Sequence, residues 1–423
     1  MDTHTAPASP PSVHDLHRAF ARIGLLSFGG PAAQIALMHR CLVDEKRWLT
    51  EAEFLRALSF CMVLPGPEAM QLATYAGWRL RGVTGGLIGG LWFVGPGALV
   101  ILALGLLYGG LGDSPLAQGA LWGLKACVMV IVVQALASMA RRALHGLAAY
   151  ALAAMAFVAL FVFGLPFPLV VLVAGAWGWL SAPKQQSPER YAISTGALGA
   201  ALRRAAPWAA LWALPLVVLA ISGSTFLVQL GLFFSKLAAL SFGGAYALLA
   251  WMAQAMVADH GWLTTPEVID ALGFAETTPG PLILVTAFAA LIAGLKTGIG
   301  TGIAAWALTL WVTFIPCFLW IFTGAPLIEA LTHRPRLSAA LQAITASVTG
   351  VIASLSLWFA LHVVFATLTP GPFALSLPSL PSARPEALAL AALAALLIRF
   401  VRAPLWLVLG VVSAAGVVLC ALL

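Results

Sequence analysis

Asparagine is absent from the 423-residue chain, which leaves no acceptor for N-glycosylation. Charge is scarce: Asp, Glu, Lys and Arg make up 9% of the residues, where soluble domains carry about a quarter. The five cysteines, Cys41, Cys61, Cys127, Cys317 and Cys420, show no CxxC spacing and mostly sit in apolar runs, so neither a disulfide nor a metal site is implied. No HExxH, GxSxG or GxxxxGK[ST] motif occurs; Gly294-Leu295-Lys296-Thr297 resembles only the tail of the last. Enzymatic chemistry, ATP drive and a bound cofactor therefore have no support in the sequence. The first residues, MDTHTAPASPPSVHD, are polar and rich in proline with no apolar core, so we expect no cleaved signal peptide and a disordered tail over 1–16.

What fills the chain instead is hydrophobic residues, at 61% with a mean hydropathy of +0.99. At about 20 apolar residues per crossing, this supplies roughly nine to twelve segments of an all-α polytopic membrane protein embedded in the lipid bilayer. The net charge of +7 falls largely in short connections between apolar runs, which argues for topology and against nucleic acid.

One stretch occurs twice. Leu26-Ser27-Phe28-Gly29-Gly30 returns as Leu240-Ser241-Phe242-Gly243-Gly244, Trp48-Leu49-Thr50 as Trp262-Leu263-Thr264, and Pro65-Gly66-Pro67 as Pro279-Gly280-Pro281. Each pair is 214 positions apart (241 minus 27, 279 minus 65). A single offset held across a turn, an aromatic and a Pro-Gly-Pro means internal duplication.

Along the chain, the repeats occupy 17–181 and 226–423, joined by a polar linker at 182–205 and an unpaired apolar helix at 206–225. Gly29-Gly30-Pro31 interrupts the first apolar segment, about 20–38. Thr50 and Glu53 have capping-box spacing, as do Thr264 and Glu267. The pieces on either side of Pro65-Gly66-Pro67, about 51–64 and 68–80, are each too short to span a bilayer, which predicts a re-entrant hairpin of half-helices. Spans follow near 84–110, 116–139, 146–163 and 166–181, and in the second half near 298–325, 338–360, 386–400 and 404–423. The run GGLIGG, Gly85 to Gly90, predicts close helix packing.

Between the repeats lie five ordinary spans, an odd number, so the repeats should have inverted topology. With the N-terminus in the cytoplasm, most Lys and Arg fall inside and Asp113 and Asp259 outside; Lys236, Lys296 and Arg384 are exceptions.

A broken helix leaves free backbone N–H groups and a positive dipole end at the start of its second half. Breaks at Gly29-Gly30, Gly243-Gly244, Pro65-Gly66-Pro67 and Pro279-Gly280-Pro281 would aim four such ends at the bilayer middle, an arrangement suited to an anion. Arg22 and Lys236 share the 214 offset, five residues before their turns, and either complement that anion's charge or snorkel to the interface. Lys125, inside a span, has no basic counterpart in the second half and is a further candidate. Glu68 and Glu276 flank the two Pro-Gly-Pro turns, as proton carriers or as caps. Ser27, Ser241, Thr277 and Thr278 offer hydroxyls, although the two threonines could simply cap a helix. Trp48 and Trp262 read as interfacial anchors, His39 and His362 as structural.

These motifs resemble the chromate ion transporter family in its long, two-domain form. The similarity runs through LLSFGGPAAQIALMH, FCMVLPGPEAMQLATYAGWRL and FVGPGALVILALG in the first half. In the second it runs through FFSKLAALSFGGAYALLA, GWLTTPEVIDALGFAETTPGPLILVTAF and TFIPCFLWIFTGAP. The resemblance implies efflux of chromate across the bacterial inner membrane, with sulfate or another oxyanion as the alternative substrate; a dianion leaving a negative interior can be driven by the membrane potential, with proton motive force as the other option. It carries the site to Gly29, Gly30, Pro31, Pro65, Gly66, Pro67, Glu68, Gly243, Gly244, Thr278, Pro279, Gly280 and Pro281. Ala287 departs from the family pattern, which places a glutamine there. Oligomeric state, a homodimer included, stays open.

Overall fold

A computed structural model describes residues 10–28, 30–111, 114–182, 195–242, 245–324, 335–401 and 403–422, with the side chains of 195–198, 245–247, 276 and 277 also outside it. The first helix, α1 (Val13–Leu26), starts earlier than the apolar run because Ser12 caps it, its hydroxyl accepting from the Asp15 amide at 3.1 Å. The tail expected over 1–16 is thus helical from Val13 on, and residues 1–9 lie outside the described part.

Helix α1 buries Leu16, Ala19, Phe20, Ile23 and Gly24, the stripe expected of an amphipathic helix. Its counterpart α9 (Thr225–Ala239) buries Leu230, Phe233, Phe234, Leu237 and Ala238, every one 214 positions on (230 minus 16, 238 minus 24). The duplication continues element by element. Helix α2 (Gly30–His39) widens into a π-helical turn at Arg40–Glu45, and α10 (Ala245–Gln254) does so at Ala255–Asp259. Helix α3 (Glu51–Cys61) corresponds to α11 (Thr265–Thr277), and each starts with the expected capping box.

After the first Pro-Gly-Pro, α4 (Glu68–Leu111) is two helices joined at Arg81 and Gly82, whose backbone angles are not helical. Its counterparts are α12 (Val285–Leu295), entered through a tight turn at Leu282–Leu284, and α13 (Ile299–Gly324). Both Pro-Gly-Pro segments therefore join short helices, as the sequence predicts. Helix α12 buries every residue from Val285 to Gly294, Ala287 included, and so is apolar all round.

The remaining helices are α5 (Pro115–Ala143), α6 (Leu147–Phe161), α7 (Phe167–Ser181), α8 (Thr195–Ile221), α14 (Pro335–Val364), α15 (Pro385–Leu396) and α16 (Leu405–Leu422). Helix α8 begins inside the stretch expected to be linker, because ALGAALRR, Gly199 apart, is made of strong helix formers, its two arginines included. Between α14 and α15 lies an element the sequence did not announce, a hairpin of β1 (Leu368–Pro370) and β2 (Ser376–Pro378), antiparallel with Thr369 opposite Leu377. It is tied down by the Ala374 amide, which donates to Val162 O at 2.9 Å, and the Arg384 amide, which donates to Val364 O at 2.7 Å.

Among the described residues, six helices are long and apolar enough to cross a membrane. Large apolar side chains stand exposed on helix faces, Leu147 at 90% and Leu180 at 81%, which water would penalise and lipid tails accept. The molecule is an all-α polytopic membrane protein.

The chain forms two compact units, and neither matches a repeat. Unit 1 comprises 1–103, 183–245 and 278–338; unit 2 comprises 104–182, 246–277 and 339–423. Unit 1 holds both Ser turns and both Pro-Gly-Pro turns. In unit 2, α5 packs on α15 and α16 around Ala126, Cys127, Leu390, Ala394, Val408 and Val412.

Candidate functional site: two crossed Pro-Gly-Pro turns

At the apex of each turn sits a glycine in the left-handed region, Gly66 at φ +126° and Gly280 at φ +91°, where a side chain would strain the backbone. Each apex amide bonds to the opposite repeat. The Gly66 N–H donates to Ser241 O, and the Gly280 N–H donates to Ser27 O, both at 2.9 Å. The two bonds are exchanged by the repeat offset (280 minus 66 and 241 minus 27 are both 214). Ser27 and Ser241 are buried, at 0% and 3% exposure, so these bonds form away from water.

Two glutamines support the turns from within. Gln34, on α2, donates through Nε2 to Gly280 O at 2.7 Å and to Ser27 O at 3.3 Å. Gln71, on the first turn of α4, donates to Pro65 O at 2.7 Å. Carbonyls only accept, so the amide nitrogens must face them, which fixes both side-chain orientations. Both glutamines are buried and both leave Oε1 without a partner. The duplicated positions are Leu248 and Val285 (34 plus 214, 71 plus 214), so this support belongs to the first repeat alone.

The consequence is electrostatic. Backbone carbonyls near an anion repel it, and here those of Pro65, Gly280, Ser27 and Ser241 are engaged as acceptors. The helix starts keep their positive character. Intrahelical bonding in α4 begins only with the Gln71 amide donating to Pro67 O at 3.1 Å, and α2 opens at Gly30 with φ +78°. The turns differ in access: Pro65, Pro67 and Glu68 are half-buried, whereas Thr278, Pro279, Gly280 and Pro281 are buried.

The other expected residues are placed as follows. Gly29, Gly243 and Gly244, and the side chains of Glu276 and Thr277, lie outside the described residues. The Ser27 hydroxyl donates back to Ile23 O at 2.6 Å, so its one proton is committed within its own helix and an oxyanion would not receive it. Arg22 lies on the exposed face of α1 and pairs with Glu45 at 2.6 Å, 53% exposed; Lys236 is exposed as well. Neither is gathered to the buried turns. Glu68 is the first residue of α4, a position where a carboxylate meets the helix dipole favourably. His39 sits between Glu51, at 2.5 Å, and Asp44, at 3.4 Å; its bond to Glu51 and the charge of both carboxylates raise its pKa, a structural clasp at the end of α2.

Lys125 is in unit 2 and has a partner the sequence reading did not name. Its Nζ lies 2.8 Å from Asp270 Oδ1, and the Tyr108 hydroxyl donates to Asp270 Oδ2 at 2.9 Å. Gln34, Gln71, Asp270 and Tyr108 were all missed. The signal that could have found Asp270 is its charge, three residues after Glu267 in an otherwise apolar run.

Comparison with known proteins follows the same stretches. The chromate transporter family matches residues 14–179 and 228–418. A chromate transport protein of Cupriavidus metallidurans is 30% identical over 82% of this chain and 82% of its own length. One from Pseudomonas aeruginosa is 32% identical over 83% of this chain and 82% of its own. A probable chromate transport protein of Synechococcus elongatus is 32% identical over 83% of this chain and 84% of its own. No solved structure matches the chain.

Proposed function

From the premise that this chain belongs to the chromate transporter family, we propose that it is a secondary carrier that exports chromate from the bacterial cytoplasm across the inner membrane. The observation that carries the reading is the reciprocal pair of bonds from Gly66 to Ser241 O and from Gly280 to Ser27 O. It holds two interrupted helices together deep in an apolar bundle, where irregular backbone persists only if it serves a site or is fully satisfied.

The substrate is a tetrahedral dianion. Its oxygens take N–H groups at the starts of α2 and α4, while Gln34 and Gln71 keep the turn carbonyls engaged elsewhere. The half-buried first turn is the entry, and the buried second turn is the closed side. The repeats are inverted, with the N-terminus in the cytoplasm, so closing one turn as the other opens gives alternating access. A dianion leaving a negative interior gains about 2.3 kcal/mol per charge for each 100 mV, so the membrane potential alone supplies the drive.

The test is uptake of radiolabelled chromate into everted vesicles carrying this chain, with an imposed inside-positive potential and with excess sulfate. Uptake that rises with the potential and persists in sulfate is expected. Uptake indifferent to potential would overturn the electrical drive. Uptake abolished by modest sulfate would assign the site to sulfate, the rival that shares charge and shape with chromate.

A further inference from the structure

Unit 2 contains two adjoining cavities that share Thr265 and His362 in their walls. The first, about 240 Å³, carries the hydroxyls of Ser354 and Ser376 and the amide of Gln254. The second, about 320 Å³, carries Lys125, Arg384 and Trp122. Among the described residues, no carboxylate lines either cavity. Asp270 reaches the second through its ion pair with Lys125.

Two half-buried cations, Lys125 and Arg384, therefore line one partly open cavity. Arg384 is braced over the Trp122 ring, 5.9 Å from its centre, so the guanidinium is held in place without its donors being taken by the ring. Among the described residues Lys125 pairs with Asp270 alone, and the Tyr108 hydroxyl holds that carboxylate on its far oxygen. The lysine can thus move while the carboxylate stays. His362 Nδ1 lies 2.8 Å from Trp358 O, and since a carbonyl only accepts, Nδ1 carries the proton and Nε2 is left for the cavities.

We infer that these cavities form a second oxyanion site, in which Arg384 and Lys125 hold a tetrahedral dianion and Lys125 exchanges its bond to Asp270 for one to the anion. The inference rests on the export reading for the identity of the anion, and it adds a waiting position in unit 2 separate from the Pro-Gly-Pro turns. A volume of about 320 Å³ holds a four-oxygen anion with a few of its waters, each water occupying about 30 Å³. Exchange of partners also gives the site a way to release its ligand, because Asp270 competes for the same ammonium.

The test is equilibrium binding of radiolabelled chromate to the purified full-length chain in detergent, with sulfate and with anionic phospholipid added in separate arms. The wild type should bind in two classes. Arg384→Gln should weaken one class by about tenfold, the loss of one charge-assisted bond. Asp270→Asn should tighten the same class severalfold, because Lys125 then lacks a competitor, and added chromate should raise the melting temperature of this variant more than that of the wild type. Opposite signs from two substitutions in one cluster are what simple damage to packing would not produce. Parallel weakening by both, a single class untouched by Arg384→Gln, or displacement of chromate by phospholipid would each overturn the inference while leaving the turn site standing. If the wild type binds no chromate at all, both readings fall.

Discussion

A buried glutamine in an apolar bundle brings two hydrogen-bonding ends into a place where each unmet one costs about 1–3 kcal/mol. Gln34 and Gln71 meet theirs at one end only, on carbonyls of the crossed turns. Substituting Gln71→Leu keeps the volume but frees Pro65 O beside the place where an anion must sit. Half-maximal transport should then need about tenfold more chromate, while melting in detergent shifts by only a few degrees. Arg22→Gln is the contrast. Its ion pair with Glu45 is open to solvent, a kind worth about 0–1 kcal/mol, and transport should stay within twofold of wild type. A transport series that ranks Arg22 above Gln71 would reverse the assignment. The glutamines escaped the sequence reading for a definite reason. Duplication directs attention to matched positions, and their counterparts Leu248 and Val285 are apolar. Asp270 escaped because its partner Lys125 lies 145 positions away (270 minus 125), and no periodicity connects them.

Elements were more legible than contacts. The breaks at Gly30 and at both Pro-Gly-Pro turns, the two capping boxes and most helix limits follow from backbone chemistry that acts within a few residues. The β1–β2 hairpin and the early start of α8 did not, since neither has the apolar length that marks a span. The glycine run from Gly85 to Gly90 sits between these cases: its role was readable, its partner was not. In α4 the part before Arg81 folds against the part after Gly82, and a methyl group on Gly77 would come within 2.0 Å of Gly85 O. Backbone on backbone cannot yield as a side-chain tip can, so Gly77→Ala must push the two pieces apart. Overpacking of this kind costs about 1–3 kcal/mol, and a thermal melt of the variant should fall clearly below wild type. An unchanged melt would mean that α4 is not closed on itself at this point.

At the scale of the whole molecule, the duplication and the compact units divide the chain differently. Each unit takes segments from both repeats, and both apex amides reach across from one repeat to the other. A single repeat therefore leaves Gly66 or Gly280 without its acceptor and loses half of each unit's packing. Cutting the chain between α7 and α8, after Ser181 and before Thr195, severs no described helix. Co-expressed halves should reassemble and transport chromate in vesicles, because the contacts that close the site are between them. Either half alone should not transport. The first half is the more demanding case, since it carries Ser27 and Gly66 together with both supporting glutamines, and two copies could pair them across a dimer. It lacks α9, which leads into Ser241, and α12, which follows the second turn. Transport by the first half alone would show that the crossed turns tolerate identical partners, and the asymmetry supplied by Gln34 and Gln71 would then be dispensable.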